Sequence, residues 1–268
     1  FDTDIIIQLK AAGGSIKELP IPTFYGDEIC YVNGIQYGSK IIFTSFLYRL
    51  QSASLFYQAK FDLEFTNHHY LPKFNFCSSH QMARKSVNED DRLLILGCGS
   101  AELVKEFVRA SDSVTALDTF IDDDLQSLGI ETIQADLDTY QFHFDKQYTK
   151  ILALGIIEHL KSPEDFLSKI RNHDATCGAE LILTTPNVAF FPIRLMLLLG
   201  FFNYGKRGIL DKTHTRLFTF HSLKQILVQS GFDIHEIKGI PAPFPLATRN
   251  RIISRTLLWL NQWGIRIF

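Results

Sequence analysis

Short apolar runs alternate with amphipathic stretches between residues 91 and 231, and each run ends in a small or polar residue. The runs have the length of buried strands, whereas several of the stretches between them have the spacing of amphipathic helices. Strands that alternate with helices favour an α/β fold with a doubly wound, mostly parallel sheet. The predicted strands are Leu93–Leu96, Ser113–Leu117, Glu131–Ala135, Lys150–Leu154 and Glu180–Leu183.

Three helices are predicted among these strands. Ala101–Ala110 has apolar positions at helical spacing. A second helix is predicted to begin after Ser162 as its N-cap, with Pro163 at its first position. A third is predicted from about His221 to Gln229, ended by Gly231. Ligands of such sheets bind outside the carboxyl ends of the strands, so the residues directly after each strand are the candidates for function.

The first sixty residues follow a different pattern. Apolar positions at helical spacing predict a helix within Ser39–Tyr57, and Asn33-Gly34 predicts a turn. The pattern becomes irregular after this helix, and we place a domain boundary near residues 52–66. We therefore expect an N-terminal segment, 1–60, and a second domain, 61–268.

The composition of the chain excludes several classes of protein. The 268 residues are 46% hydrophobic and 21% charged, as in ordinary globular proteins. The formal net charge of −2 gives no electrostatic footprint for nucleic acid, so we expect no nucleic-acid partner. Four dispersed cysteines without a CxxC pair argue against a disulfide framework and favour a reducing compartment, which predicts a cytoplasmic location.

Candidate binding residues follow three of the strands. Gly97-Cys98-Gly99 opens a helix after the first strand, where glycines allow a ligand to approach the backbone, although an ordinary strand-to-helix turn has the same sequence. Asp118, 21 positions after Gly97, can accept hydrogen bonds from ribose hydroxyls, and Asp136 can accept from an adenine amino group. Glu102 stands where a dinucleotide fingerprint needs Gly or Ala, which disfavours nicotinamide and flavin cofactors.

Together these residues resemble class I S-adenosylmethionine-dependent methyltransferases over roughly residues 65–268. Leu93–Gly99 resembles their first motif, Leu152–Leu160 the fourth-strand motif of the ubiquinone-biosynthesis-like branch, and Asp211–Thr219 the late motif of that branch. The resemblance implies a Rossmann-like fold, S-adenosylmethionine as cofactor and methyl transfer as the activity. It assigns cofactor binding to Gly97, Cys98, Gly99, Asp118, Thr119, Asp136, Leu137 and Leu154.

The first motif departs from the family pattern. Ile95 stands where the family usually has an acid that orders the amino-acid end of the cofactor, and Ala101 replaces the third glycine. These departures support an alternative interpretation, a non-catalytic or decayed methyltransferase-like binding domain attached to a glycosyltransferase.

Candidate catalytic residues are Glu158, His159 and His214. An imidazole can remove a proton near neutral pH, and a carboxylate with two imidazoles can bind a divalent metal. Some related sugar and quinone O-methyltransferases have an ExxEH metal pattern, but its first position is Gly155 here, so we expect no metal. The structural alternatives are a packing role for His159 at a helix start and a backbone-bonded loop histidine at position 214.

The N-terminal segment carries a second resemblance. Phe1–Ile6, Leu19–Thr23 and Tyr25–Glu28 resemble the C-terminal tail of a family 2 glycosyltransferase of the polyprenyl-phosphate mannose synthase kind. Because its nucleotide-sugar site would lie upstream, we expect no glycosyl transfer from this chain. The context implies a small-molecule or saccharide acceptor, or a glycan or lipid-linked intermediate.

The apolar stretch Phe190–Phe202 is a core helix, a lid or a peripheral contact with a lipid surface. The oligomeric state is not predicted.

Overall fold

The structure, a computed structural model, describes residues 2–20, 22, 26, 32–52, 57–61, 74, 77–121, 123–205, 208–241 and 256. The chain divides into two compact units. One unit, which we call the helical unit, comprises Phe1–His68 and Leu195–Lys212. The other, which we call the sheet unit, comprises His69–Arg194 and Thr213–Phe268. Much of the predicted boundary at 52–66 lies outside the described residues, so the division at residue 60 stays a prediction.

A five-stranded parallel sheet forms the centre of the sheet unit. Its strands are β1 Arg92–Leu96, β2 Ser113–Asp118, β3 Glu131–Gln134, β4 Lys150–Leu154 and β5 Glu180–Thr184, and they lie side by side in the order β3-β2-β1-β4-β5. The sequence therefore predicted the α/β class and the parallel sheet correctly. The order runs outward from β1 in both directions, so the topological switch point lies between β1 and β4, where ligands of such sheets bind.

Helices cover both faces of this sheet. Leu93 and Ile95 of β1 pack into the cluster that contains Phe107, whereas Leu94 and Leu96 pack into the cluster that contains Phe166. Successive side chains of a strand point to opposite faces, so a strand with two covered faces reads as a continuous apolar run. The helices are α3 Ser79–Lys85, α4 Ala101–Val108, α5 Asp123–Gln126, α6 Pro163–Asn172, α7 Phe191–Leu198 and α8 Phe220–Gln229, of which α7 continues into the helical unit.

The helix starts show which capping predictions were correct. Pro163 is the first residue of α6, as predicted, but the Ser162 side chain makes no capping hydrogen bond. The helix predicted from His221 begins one residue earlier, because Thr219 and Ser222 form a reciprocal capping box. Gly231 ends this helix with a φ of 81°, and the Phe232 N–H donates to the Leu227 carbonyl at 3.0 Å.

The helical unit contains α1 Asp2–Ala11, α2 Gly34–Ser52 and a 3₁₀ turn at Ala59–Phe61. The turn predicted at Asn33-Gly34 is wrong: the Asn33 side chain accepts from the Gln36 N–H at 3.1 Å, as at a helix N-cap, so α2 starts there rather than at Ser39. Residues 21, 23–25 and 27–31, which carry much of the glycosyltransferase resemblance, lie outside the described residues. Within the described part of the chain, none of the helices is long and apolar enough to cross a membrane.

Candidate functional site

The glycine loop after β1 lies at the switch point of the sheet. Gly97 and Gly99 both have a φ of 67°, a conformation that favours glycine. A Cβ on Gly97 would lie only 1.9 Å from Cδ1 of Ile156, so the loop after β4 packs directly against the glycine loop. A Cβ on Gly99 would meet no atom of the described residues within 4 Å. The backbone at Gly99 is therefore open to a ligand.

Asp118 joins the end of β2 to the glycine loop. Its Oδ2 accepts from the Gly99 N–H at 2.8 Å, and its Oδ1 accepts from the Thr119 hydroxyl at 3.1 Å and the Phe120 N–H at 3.4 Å. A carboxylate offers about four acceptor positions, so Asp118 retains capacity for a ribose hydroxyl. This arrangement fits the nucleoside part of the predicted cofactor, and it adds a structural role that the sequence did not reveal.

Asp136 follows β3 and is exposed. Its Oδ1 accepts from the Asp138 N–H at 2.9 Å, a local turn that gives the carboxylate a structural purpose of its own. Leu137 is buried in the core, and Leu154 is partly buried at the end of β4. The Cys98 side chain is also fully buried in the core, so only the main chain of this residue remains for a cofactor. The roles of these residues in cofactor binding stay predictions.

Ile95, the departure from the first motif, lies inside the core. Its side chain is 2% exposed, and its neighbours in the sheet are Ala116 on β2 and Leu152 on β4. A carboxylate at this position would be surrounded by apolar side chains and would cost stability unless it found a hydrogen-bonding partner. The structure thus gives Ile95 a packing role in the core.

The three candidate catalytic residues come together at the end of β4. Each of Glu158, His159 and His214 offers one ligand-type atom, and these atoms all lie within 4.8 Å of one another. The two imidazole rings are 4.8 Å apart between centroids, with an angle of 76° between their planes. Nδ1 of His159 lies 3.2 Å from the Thr213 carbonyl oxygen, which can only accept. Nδ1 is therefore assigned as the donor, which leaves Nε2 of the neutral ring as an acceptor.

Main-chain hydrogen bonds explain why His214 lies beside His159. The N–H groups of Thr215 and Arg216 donate to the Glu158 carbonyl at 2.8 and 3.0 Å. The Thr215 hydroxyl donates to the Leu160 carbonyl at 2.6 Å. These hydrogen bonds hold the late motif, Asp211–Thr219, against the loop after β4. The sequence identified His214 as a candidate catalytic residue, but it assigned no role to Thr215 or Ile156, whose contacts depend on loop geometry.

Glu158 is buried, with 3% of its surface exposed. Burial raises the pKa of Glu158; its own backbone N–H, the nearby Thr185 hydroxyl and the charge of His159 oppose this rise. The Thr185 hydroxyl does not form a well-aligned hydrogen bond, however, and Oε2 of Glu158 has no hydrogen-bond partner among the described residues. The carboxyl therefore retains an acceptor for a ligand or for a protonated imidazole.

The same cluster is a candidate position for a divalent metal. A carboxylate and two imidazoles suit several divalent metals. A Cβ on Gly155 would lie 3.4 Å from Oε1 of Glu158, so the position that lacks the first acid of the metal pattern is directly beside the cluster. Gly155 has no side chain to contribute as a ligand, and the expectation of no metal stays a prediction.

Comparisons with known proteins indicate the family of the chain. A family model described as a methyltransferase domain matches residues 46–237. A protein of Papaver bracteatum named probable (S)-tetrahydroprotoberberine N-methyltransferase 2 is 28% identical over an alignment of 104 residues that covers 35% of this chain and 29% of that protein. The match thus spans less than a third of that curated relative.

Two solved structures align with part of the chain. An S-adenosylmethionine-dependent methyltransferase from Mesorhizobium loti aligns with a TM-score of 0.49 and 16% identity, covering 69% of this chain and 94% of that one. The 1,6-didemethyltoxoflavin-N1-methyltransferase of Burkholderia thailandensis, solved with 1,6-didemethyltoxoflavin and S-adenosylhomocysteine, aligns with a TM-score of 0.46 and 12% identity, covering 81% and 87%.

The family model covers more than two thirds of the chain and confirms the class of enzyme and the cofactor that the motifs predicted. It does not extend to the N-terminal glycosyltransferase resemblance. The chain belongs to the methyltransferase domain family and is an S-adenosylmethionine-dependent methyltransferase.

Proposed function

We propose that this methyltransferase methylates a hydroxyl oxygen of a saccharide, either a small sugar or a glycan or lipid-linked intermediate. The observation that supports oxygen as the methylated atom is the pair of imidazoles, His159 and His214, 4.8 Å apart at the end of β4. A hydroxyl must lose its proton as the new carbon–oxygen bond forms, and an imidazole suits this task near neutral pH. A neutral amine attacks through its lone pair and has less need of a base.

The saccharide class rests on a separate observation. The first residues of the chain resemble a glycosyltransferase tail, which supports an acceptor from glycan assembly. This support comes from sequence context, whereas the support for oxygen comes from the chemistry of the site. The two parts of the proposal are therefore tested separately below.

The cofactor residues have distinct positions around the switch point. The open backbone at Gly99 and the acceptor capacity of Asp118 suit the nucleoside, with Thr119 holding the Asp118 carboxylate. We assign Asp136 and Leu137, after the neighbouring strand β3, to the adenine side. Leu154, at the end of β4, lies at the other side of the switch point.

His214 is the proposed base. When bound, S-adenosylmethionine supplies an electrophilic methyl group, and the electron pair of the broken carbon–sulfur bond stays on sulfur. His214 would take the proton that the acceptor hydroxyl loses as its oxygen bonds to the methyl carbon. Much of the rate acceleration comes from holding the acceptor in line with the methyl group.

Glu158 and His159 act beside this base. The Thr213 carbonyl fixes the orientation of the His159 ring. The buried Glu158 carboxyl, with Oε2 unpartnered among the described residues, can stabilise a positive charge that develops on the imidazole pair. We therefore assign proton removal to His214 and assign charge stabilisation and positioning to Glu158 and His159.

Substitution of the histidines tests the choice of base. His214→Ala is expected to lower kcat by roughly 10²-fold or more, the usual contribution of a general base, while the affinity for S-adenosylhomocysteine stays nearly unchanged. His159→Ala is expected to disturb both quantities, because this residue follows the strand whose loop contacts Gly97. His235→Ala, an exposed histidine of the sheet unit, is the matched control. Full turnover in His214→Ala would remove it as the base.

A second experiment identifies the acceptor. Sugar nucleotides and polyprenyl-linked sugars are incubated with labelled S-adenosylmethionine, alongside analogues in which one hydroxyl is replaced by an amine. Label in the hydroxyl compounds supports the proposal. Label only in the amines would favour nitrogen methylation, the second candidate, which the name of the Papaver relative suggests.

Chelator treatment completes the test of the site. We expect little effect, because Gly155 removes one position of the metal pattern. Loss of all activity with chelator, restored by magnesium or zinc, would replace the simple base by a metal held by Glu158, His159 and His214.

A further inference from the structure

Apolar side chains are exposed mainly in the helical unit. Among the described residues, 22 large apolar side chains are exposed, and eighteen of these belong to the helical unit. Exposed apolar groups that stand singly need no explanation, but a concentration of them marks an interaction surface. Two elements of the helical unit carry most of this surface.

The first element is α2, which turns an apolar face outward. Its other side makes the internal contacts of the unit: the Tyr37 hydroxyl donates to Asp2 at 3.4 Å, and the Tyr48 ring contacts Phe61 at a centroid distance of 5.5 Å. Spacings of seven, one and three residues place four exposed side chains on one face. Their exposed fractions are 87% for Ile35, 72% for Ile42, 60% for Phe43 and 56% for Phe46.

The second element runs from the end of α7 to Tyr204. The Gly205 N–H donates to the Leu210 carbonyl at 2.8 Å, and Lys212 Nζ lies 4.8 Å from the centre of the Tyr57 ring. These contacts attach the residues that follow this element to the rest of the helical unit. The exposed side chains of the element itself are Leu195, Leu197, Leu198, Leu199, Phe201, Phe202 and Tyr204, and Leu198 is 82% exposed.

Charge distinguishes between the kinds of partner. Helix α2 contains Lys40 and Arg49, both exposed, and no carboxylate. Residues 195–205 contain no charged side chain, and the cations Lys206 and Arg207 follow in the sequence, although their placement is outside the described residues. Exposed apolar and aromatic side chains on elements whose own charged groups are cations match the interface of an anionic lipid bilayer, although Asp2 lies beside α2 and Asp211 pairs with Gly205.

We propose that the exposed faces of α2 and residues 195–204 form a docking surface for an anionic lipid bilayer. The aliphatic and aromatic side chains enter the boundary between headgroups and acyl chains, and Lys40 and Arg49 contact anionic headgroups. The apolar stretch around α7 is about 13 residues, well short of the roughly 20 that a spanning helix needs, so the contact is peripheral. This inference is independent of the acceptor and of the base in the active site.

Vesicle sedimentation of the full chain tests the docking surface. The wild type is expected to sediment with vesicles of phosphatidylcholine and phosphatidylglycerol, to bind vesicles of phosphatidylcholine alone more weakly, and to be released by salt. Phe43→Ser/Phe46→Ser and Leu198→Ser/Phe201→Ser are each expected to lower the bound fraction at mixed vesicles by about tenfold, since each removes inserted apolar area. Lys40→Gln/Arg49→Gln should reduce only the preference for anionic lipid.

Matched variants of the sheet unit provide the controls. Val228→Ser replaces an apolar side chain that is 55% exposed on α8, and Lys224→Gln removes an exposed cation of the same helix; neither should change sedimentation. Far-UV circular dichroism checks that each variant keeps its helix content, and calorimetry with S-adenosylhomocysteine checks that the sheet unit is folded. No methyl transfer is needed, so a wrong acceptor assignment does not affect the result.

Two outcomes would overturn the proposal. One is a wild type that stays in the supernatant with mixed vesicles, or that sediments equally well after both apolar double substitutions. The other is self-association: if light scattering shows a dimer that the same substitutions dissociate, and vesicles are not bound, the surface is an interface with a second copy of the chain.

Discussion

The two units of this chain use apolar residues in opposite ways. Of the 34 apolar side chains that are buried among the described residues, 31 lie in the sheet unit and three, Ile7, Phe61 and Leu210, lie in the helical unit. The exposed apolar side chains show the reverse distribution. Both units contain amphipathic helices, so helical spacing alone does not tell which face of a helix will be covered.

The difference shows what sustains each unit. In the sheet unit, burial on both faces of five strands fixes the fold, and the chemical groups lie at one edge of it, at the ends of β1 and β4. In the helical unit, α2 keeps polar and aromatic contacts on its inner side and leaves its Ile/Phe face uncovered. We expect the first unit to depend on its own core and the second to gain from a partner.

The same substitution in both units should show the largest contrast. Phe107 is fully buried in the core beside β1, whereas Phe46 on α2 is 56% exposed. Phe107→Ala is expected to lower the free energy of unfolding by about 3–5 kcal/mol, the cost of lost burial and a residual cavity. Phe46→Ala should change it by about 0.5 kcal/mol or less. Denaturant unfolding measures both, and equal losses would show that Phe46 is buried in solution.

The comparison also explains which parts of the fold could be predicted from the sequence. The five strands could be predicted because parallel strands covered on both faces are continuous apolar runs with sharp ends. The role of the stretch that forms α7 could not be decided among a core helix, a lid and a lipid contact, because an apolar stretch does not indicate which surface covers it. Asn33 was misread for a related reason: asparagine favours both turns and helix N-caps, and only the conformation of the following residues decides.

Prediction of the site had a similar limit. Gly97, Asp118, Glu158 and His159 could be placed at one edge because each follows a parallel strand. The adjacency of His214 depends on hydrogen bonds from Thr215 to main-chain carbonyls, which depend on loop geometry rather than on residue type. Ile156 likewise contacts the glycine loop through shape alone.

Two glycines of the same loop separate backbone strain from packing within the sheet unit. Gly97→Ala and Gly99→Ala both place an alanine at a φ of 67°, which costs about 1–2 kcal/mol. Only Gly97→Ala meets Ile156, so its loss of stability should exceed that of Gly99→Ala by about 1–3 kcal/mol, as in an overpacked core. Thermal unfolding compares the two, and the double variant Gly97→Ala/Ile156→Ala should recover part of the difference. Equal losses would show that Ile156 moves away freely.

Two aspartates extend the comparison of the two units to polar groups, because one lies in each unit. Asp118 holds the glycine loop through the Gly99 N–H, whereas Asp4 of the helical unit forms a partly exposed ion pair with Lys60 at 2.8 Å. Asp118→Ala is expected to weaken binding of S-adenosylhomocysteine by about 1–3 kcal/mol. Asp4→Ala should leave this binding unchanged and, as an exposed ion pair, change stability by no more than about 1 kcal/mol. Calorimetry measures the binding; unchanged affinity in a folded Asp118→Ala would remove that residue from the site.

The smallest expected effect is a change in how stability depends on pH. Burial raises the pKa of Glu158 above the ordinary value of 4.5 that the group has in the unfolded chain. The folded protein therefore binds a proton more tightly than the unfolded chain does. Its stability is full below pH 4.5 and declines as pH rises through the window up to the raised pKa, by no more than about 1.4 kcal/mol per pH unit for one proton.

Glu158→Gln removes this titration while keeping nearly the same shape. Wild type and variant should have similar stability below pH 4.5, where the buried carboxyl is neutral, and the variant should become relatively more stable as pH rises. Chemical denaturation from pH 4 to 8 measures the difference, and Glu18→Gln, an exposed position of the helical unit, is the matched control. A difference between wild type and Glu158→Gln that stayed constant with pH would contradict the expectation. It would mean that the pKa of Glu158 is not raised in solution, as when Oε2 gains a stabilising partner there. A divalent metal held by the same cluster would be the first such partner to test.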